Sequence, residues 1–247
     1  MSELIPAISA VRASVAAILQ LHTNAPERDD KGNLLPGKVL GTLGGSAFCV
    51  GADKYLITAQ HVLNGGKTRD PDDKFYALIV PGNGHRAFHI PIVSFPLERK
   101  DLDMAVLELG PMPAPDFHIP ALPVSFDQQD DGMRVVTVGF PSPTIAKFSL
   151  DAQGNYSGGE FFLKSHANEG IVSAHYLMGE SLFYELNVGW HHGESGGPVV
   201  ALTDPPSVFT LMQHYRNIQA PHGTVAGPHR GIALSMIRKE LGELGLP

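Results

Sequence analysis

Of the 247 residues, one is a cysteine, Cys49, and one is a tryptophan, Trp190. A single thiol cannot close an intrachain disulfide, so core packing must hold the fold. The same scarcity suits a reducing compartment, and a cytoplasmic location is the expectation. Runs of lysine and arginine are missing as well. With 18 basic and 25 acidic residues the formal net charge is −7, which argues against a nucleic-acid partner, because phosphate backbones reward clustered positive charge. No stretch approaches the roughly 18 apolar residues of a membrane span. The N-terminus does not read as a secretory signal: its first charge is Glu3, and Gln20 ends the short apolar run at 15–19.

Turn formers, by contrast, are plentiful. The 27 glycines and 20 prolines fit many short strands better than a helical bundle. Residues 15–21 read as a strand or a short helix. The polar stretch from His22 to Gly45 reads as a long surface loop. "SAFCV" and "YLITA" are short β-favouring runs on either side of the turn "GADK". "FYALIV", "FHIPIVSF" and "MAVLEL" continue at hairpin spacing. Five prolines then fall between Pro111 and Pro123. Proline cannot donate to a sheet ladder, so this stretch is expected to link residues 1–112 to residues 113–247. Six further strand-like runs follow: "MRVVTVGF", "EFFLKSHA", "GIVSAHYL", "LFYELNV", "PVVAL" and "VFTLMQHY". "SMIRKELGEL" near the C-terminus reads as a helix that Ser235 can cap.

The stretch with most chemistry is "HHGESGGPVV", residues 191–200. Serine among glycines is usually a turn, and a hydroxyl alone is a poor nucleophile; it needs a base, and the base an orienting group. The string also fits G-x-S-x-G, the strand–turn–helix elbow of α/β-hydrolases. Proline three residues after Ser195, followed by two valines, points instead to a strand. Only 52 residues remain after the serine, too few for the rest of that fold. Upstream, His61 follows the apolar strand "YLITA". Asp103 precedes another apolar strand within "KDLDMAVLEL". In isolation either one is an ordinary turn or strand-end residue.

Together the three motifs, "TAQH", "DLDMAVLEL" and "GESGGPVV", in that order, resemble the chymotrypsin-like serine proteases, and most of all the bacterial trypsin-like, HtrA-like members. "VVTVGFP", "GIVSA" and "HRGIALSMI" add weaker echoes. The resemblance runs from about residue 15 to the end and implies an all-β fold of two antiparallel β-barrels with a C-terminal helix. It places His61 and Asp103 on the first barrel and Ser195 on the second. It implies a catalytic triad of His61, Asp103 and Ser195, and an oxyanion hole from the amides of Gly193 and Ser195. It places the substrate pocket at Gly189, Trp190, His191 and His192, and the substrate-binding edge at Gln213, His214 and Tyr215. The implied activity is serine endopeptidase, with a protein or peptide substrate and no cofactor or metal. The alternative is a protease-like binding or scaffold protein, or a latent protease whose loop 187–195 is ordered by an activating partner.

Several features depart from the family pattern. No segment matches the cleaved N-terminus of activated zymogens, so no such activation is expected. The acid before the serine is Glu194, one methylene longer than the usual aspartate, and it is expected to be solvated or to meet a cation such as a neighbouring histidine. Gly189 offers no acid at the pocket base, so no strong preference for Lys or Arg before the scissile bond is expected. His191, His192 and His214 allow a preference for acidic residues there, although solvated loop histidines are the plainer reading. By resemblance, Cys49 and Val62 fall near the two halves of a disulfide of secreted relatives; Cys49 is expected to be a small buried apolar residue. The histidine spacings do not match a zinc site. No appended PDZ domain is expected in a chain ending at Pro247.

Overall fold

The computed structural model describes residues 4–23, 27–28, 30–31, 34–35, 39–65, 69–80, 87–189, 191–220 and 223–246, with 27–28, 34–35, 215–220 and 224–226 through their backbone only. The chain opens with helix α1 (Leu4–Ala13), which sequence reading did not anticipate. Pro6 sits in its first turn, where a missing N–H costs nothing. Ala7 and Val11, four residues apart, are its buried stripe. Ser14 ends it, its N–H and Oγ bonding to the Val11 and Ala10 carbonyls.

Residues 15–21 resolve as a strand, β1 (Val15–His22), buried along nearly its whole length. β2 (Glu27–Arg28) and β3 (Leu34–Leu35) pair within the next connection. β4 (Leu40–Gly51) begins well before "SAFCV", so the end of the expected surface loop is strand. β5 (Tyr55–Thr58), β6 (Lys74–Ile79), β7 (Phe88–Arg99) and β8 (Met104–Leu109) complete a closed barrel of order β1-β4-β5-β8-β7-β6. Closure leaves no free edge, and the inward residues of every strand fill one core. Ile18, Leu19, Phe48, Leu56, Ile57 and Leu78 are fully buried, consecutive residues on opposite faces of the barrel wall, each contributing about 1.5–3 kcal/mol of transfer free energy. Between Ile18 and Leu19 the register slips by one residue and leaves Gly44 unpaired, a bulge that bends β4 toward the cleft.

After β8 the proline-rich segment runs along the first barrel, with Ile119 and Leu122 buried and the Leu122 N–H bonded to the Cys49 carbonyl. It then reaches the second sheet through the Val124–Val208 bridge. β9 (Arg134–Gly139), β12 (His166–Met178), β13 (Ser181–Asn187), β14 (Pro198–Ala201), β15 (Ser207–Leu211), β16 (His214–Ala220) and β17 (Gly223–Ile232) form that sheet, in the order β15-β14-β9-β12-β13-β17-β16. It curls until Thr210 of β15 bridges Ala233 just past β17, giving a half-barrel. β10 (Thr144–Leu150) and β11 (Tyr156–Phe162) form a separate hairpin that lies against the first barrel. Lys74 Nζ holds its tip through the Gln153 and Gly154 carbonyls. α1 packs across β9.

Three more boundaries depart from expectation. "EFFLKSHA" spans the end of β11, a break at 163–165 and the start of β12. "VFTLMQHY" is two strands broken at 212–213, because Gln213 turns inward to bond with the first barrel. At the C-terminus Ser235 does not cap a helix. It lies inside a 3-10 turn, Leu234–Ile237, and α2 (Arg238–Glu243) starts after it with no side-chain cap. Burial of Leu234, Ile237 and Leu241 sets that helix rather than a hydroxyl. Among the described residues no helix is long and apolar enough to cross a membrane.

Candidate active site

His61 stands in a short 3-10 turn, Gln60–Val62, directly after β5. Asp103 is the last residue before β8, at φ +50°, a left-handed conformation that aspartate tolerates better than most residues. The twist turns its carboxylate back over the His61 turn. One oxygen accepts the His61 backbone N–H at 2.9 Å, and the other lies 2.8 Å from His61 Nδ1. The Asp103 carbonyl also accepts from Gln60 N–H and from Gln213 Nε2. Aspartate and imidazole are therefore fixed relative to each other, with Nε2 left to face the cleft.

Ser195 lies on the loop between β13 and β14 and is 7% exposed. The loop is pinned at both ends of the nucleophile candidate. Glu194 N–H bonds to the His191 carbonyl, Gly196 N–H to the Met212 carbonyl, and the Ser195 carbonyl accepts Ser46 N–H at 2.7 Å. Gly196 has φ +81°, and a Cβ there would stand 2.1 Å from the Ser46 carbonyl oxygen. Only glycine fits such a position. Ser195 Oγ lies 3.5 Å from the Gln213 carbonyl, and among the described residues no hydrogen bond joins it to His61.

Gly193 has φ +97°. The carbonyl of His192 accepts Ser142 N–H at 2.6 Å. A trans peptide points its N–H opposite its carbonyl, so this bond turns the Gly193 N–H away from the Ser142 loop. Among the described residues neither Gly193 N–H nor Ser195 N–H donates to another group. Ser46, which sequence reading overlooked, ties the arrangement together. Its hydroxyl donates to the Gly193 carbonyl at 2.8 Å and accepts Phe140 N–H at 3.0 Å. Ser142 and Ser46 carry no local signal of this role; one follows β9 and the other lies within β4.

Glu194 is buried and, among the described residues, forms no ion pair with a lysine or arginine. Its oxygens accept His191 N–H at 2.7 Å and the Asn168 side-chain amide at 3.2 Å. Of the two expectations, solvation or a cation such as a neighbouring histidine, burial removes the first: amide donors hold the acid, with His191 and His166 near enough to favour its charge. Burial raises its pKa above the ordinary glutamate range, only partly opposed by those donors and charges.

The remaining sequence candidates divide. Gly189 is exposed beside Asn168. His191 and His192 are exposed on the loop before the serine. Trp190 and the Tyr215 side chain lie outside the described residues. Gln213 is 1% exposed. Its amide nitrogen reaches the carbonyls of Leu102 and Asp103 at 2.6 and 2.8 Å, and its oxygen accepts Ile232 N–H at 2.7 Å. It joins the two sheets directly behind the His–Asp pair. His214 keeps an exposed edge, yet loss of water around its ring lowers its pKa; the charges of Arg230 and His61 act in the same direction and Asp103 against it. Cys49 is buried, and desolvation pushes its thiol up to about 11. Its Sγ points to the Ile119 carbonyl, while Val62 packs against Gly44 and Gly45, so the two positions do not form the pairing of secreted relatives.

With the geometry in place, comparison with known proteins identifies the class. Residues 45–204 match the trypsin-like peptidase domain. That span covers more than half of the chain, and the chain belongs to this family. Two solved structures of an HtrA-type protease, AlgW, each with a decapeptide and one of them a variant, share its fold. They align with 99% of this chain and with 67% and 68% of their own, at 18% and 19% identity and TM-scores of 0.64 and 0.63. The architecture of a closed barrel, a half-barrel and a C-terminal helix is chymotrypsin-like. Among curated protein sequences the chain finds no match.

Proposed function

We propose that this chain is a serine endopeptidase. The observation that supports the reading best is His61 locked to Asp103 across the cleft from Ser195, with two amides, Gly193 and Ser195, directed at no other group among the described residues. In this reading His61 Nε2 takes the Ser195 hydroxyl proton as Oγ bonds to the scissile carbonyl carbon. Asp103 keeps the other ring proton on Nδ1 and balances the imidazolium. The carbonyl oxygen becomes an oxyanion held by the Gly193 and Ser195 amides. The C–N bond then breaks, the amine leaves with the proton from His61, and an acyl ester remains on Ser195. Water, deprotonated by His61, then attacks the ester carbon; the bond to Oγ breaks, the acid product leaves, and His61 returns the proton to Ser195 Oγ.

A peptide substrate is in keeping with the decapeptide present in the AlgW structures. The acyl part of the substrate would lie along Gln213, His214 and Tyr215, near Gly189 to His192. Gly189 supplies no acid, so a basic residue before the scissile bond has no partner there. The single buried thiol suits a reducing, cytoplasmic setting.

A second reading is a latent protease or a binding protein. It draws support from the Ser195 hydroxyl, which faces the Gln213 carbonyl rather than His61. Reaction with a fluorophosphonate probe decides between them. Labelling that disappears in both Ser195→Ala and His61→Ala supports the endopeptidase. Folded protein that stays unlabelled supports latency or binding.

A further inference from the structure

One side chain from outside the Ser195 loop meets that loop at two points. Asn168, on β12 opposite Thr137 of β9, donates its amide Nδ2 to Glu194 Oε1 at 3.2 Å. Its Oδ1 lies 3.0 Å from where a Cβ on Gly189 would stand. Gly189 lies near the start of the loop, and Glu194 directly precedes the nucleophile candidate.

The stem of Glu194 is fixed by packing. Its α-, β- and γ-carbons crowd Gly139 at the end of β9, where an added Cβ would stand 3.0 Å from each. The carboxylate tip is fixed by donors, His191 N–H at 2.7 Å and the Asn168 amide. Together with the bond from Glu194 N–H to the His191 carbonyl at 3.1 Å, the first donor closes residues 191–194 into one turn. That turn sets the His192 carbonyl, which Ser142 N–H holds, and with it the direction of the Gly193 N–H. Asn168 is the donor that ties this turn to the sheet. The titratable groups that act on Glu194 among the described residues are His191, on its own loop, and His166, two positions before Asn168 on β12; β9 presents Gly139 there. Imidazolium charge fades as pH rises through neutrality, whereas an amide donor persists at every pH.

We propose that Asn168 is a positioning residue for the Ser195 loop: its amide fixes Glu194 and, through the 191–194 turn, keeps the Gly193 N–H directed at the cleft. The inference rests on the endopeptidase reading for its effect on rate, whereas the clamp on the loop is a property of the folded chain alone.

The test compares fluorophosphonate labelling rates of Asn168→Asp and of Asn168→Asp combined with Glu194→Gln. Each rate is taken as a ratio to wild type at the same pH, so that the pH dependence of the attacking base cancels. Two carboxylates at hydrogen-bond range cannot both stay ionised at ease. Asn168→Asp should therefore label about 10- to 100-fold more slowly in mildly alkaline solution, up to the effect of losing one oxyanion donor. The deficit should shrink toward weakly acidic pH, where the pair shares a proton. In the double variant donor and acceptor trade places. The glutamine oxygen takes the His191 N–H and its amide donates to the new carboxylate, so most of the rate should return at every pH. A strand residue with a merely structural role gives a deficit that neither acid nor Glu194→Gln relieves. That result, or an Asn168→Asp rate equal to wild type, overturns the proposal. If Asn168→Asp does not fold, Asn168→Ala carries the test: labelling slower by about tenfold or more, the scale of one hydrogen bond to a charged group, upholds the clamp, and a wild-type rate sinks it. If wild type itself does not label, the endopeptidase reading fails by itself. Hydrogen exchange of the His191 and Glu194 amides then decides the clamp. Faster exchange in Asn168→Ala upholds it, and unchanged exchange overturns it.

Discussion

Ser46 makes the strongest claim on the architecture, because one hydroxyl on the first barrel fixes two points of the second sheet's loops. Ser46→Ala removes the donor to the Gly193 carbonyl and the acceptor for Phe140 N–H. Phe140 is 2% exposed, so water cannot easily replace that acceptor. A buried donor left unsatisfied costs about 1–3 kcal/mol, and a lost neutral hydrogen bond about 1 kcal/mol. Together they predict a destabilisation of about 2–4 kcal/mol, below the 5–15 kcal/mol typical of folded domains, so the variant stays folded. A freed Gly193 carbonyl also loosens the peptide before it, whose N–H orientation depends on the His192 carbonyl. Misplacing one oxyanion donor costs about 3 kcal/mol of barrier, on the order of a hundredfold in rate. Urea unfolding reads the first effect, and fluorophosphonate labelling of the folded fraction reads the second. If Ser46→Ala matches wild type in both within error, the bridge carries no load and the reasoning is refuted.

Other outcomes follow from the same geometry. Glu194 has a raised pKa from burial, so the folded state binds its proton more tightly than the unfolded chain does. Its contribution to stability therefore falls as pH rises from the ordinary carboxylate range through the raised value; Glu194→Gln should flatten that slope in denaturant titrations across weakly acidic pH. Gln213→Leu leaves the Ile232 N–H and the Leu102 and Asp103 carbonyls without their side-chain partner and should cost about 3 kcal/mol in unfolding free energy, with slower labelling of Ser195 as Asp103 loosens. Cys49, with its thiol pushed up to about 11, should resist a thiol reagent at neutral pH in native protein and react on unfolding; rapid native modification would contradict its burial.

Much of the candidate site was marked in the sequence because its residues carry local chemistry. Glycine is demanded at 193 and 196 by positive φ and close backbone, and such demands leave a string that can be read. The strand-rich character came from spacing and turn residues alone. Other features left no such trace. α1 was not read from the sequence; its buried stripe is only Ala7 and Val11, too sparse to stand out as a helical period. Ser235 looked like a cap, but apolar burial of the final turns outweighed it.

By itself the sequence determined the β-rich fold class and the order of three chemically marked motifs, because strand periodicity, turn chemistry and backbone constraints act over a few residues. Tertiary structure alone decided which distant groups meet. Ser46 reaches Gly193 across 147 positions, Gln213 reaches Leu102 across 111, and Gln20 and His22 meet Asp73 across 53 and 51. Those pairings depend on barrel closure, on a one-residue bulge at Gly44 and on how the second sheet curls. Each is a sum of packing terms over the whole chain, and no short stretch encodes it.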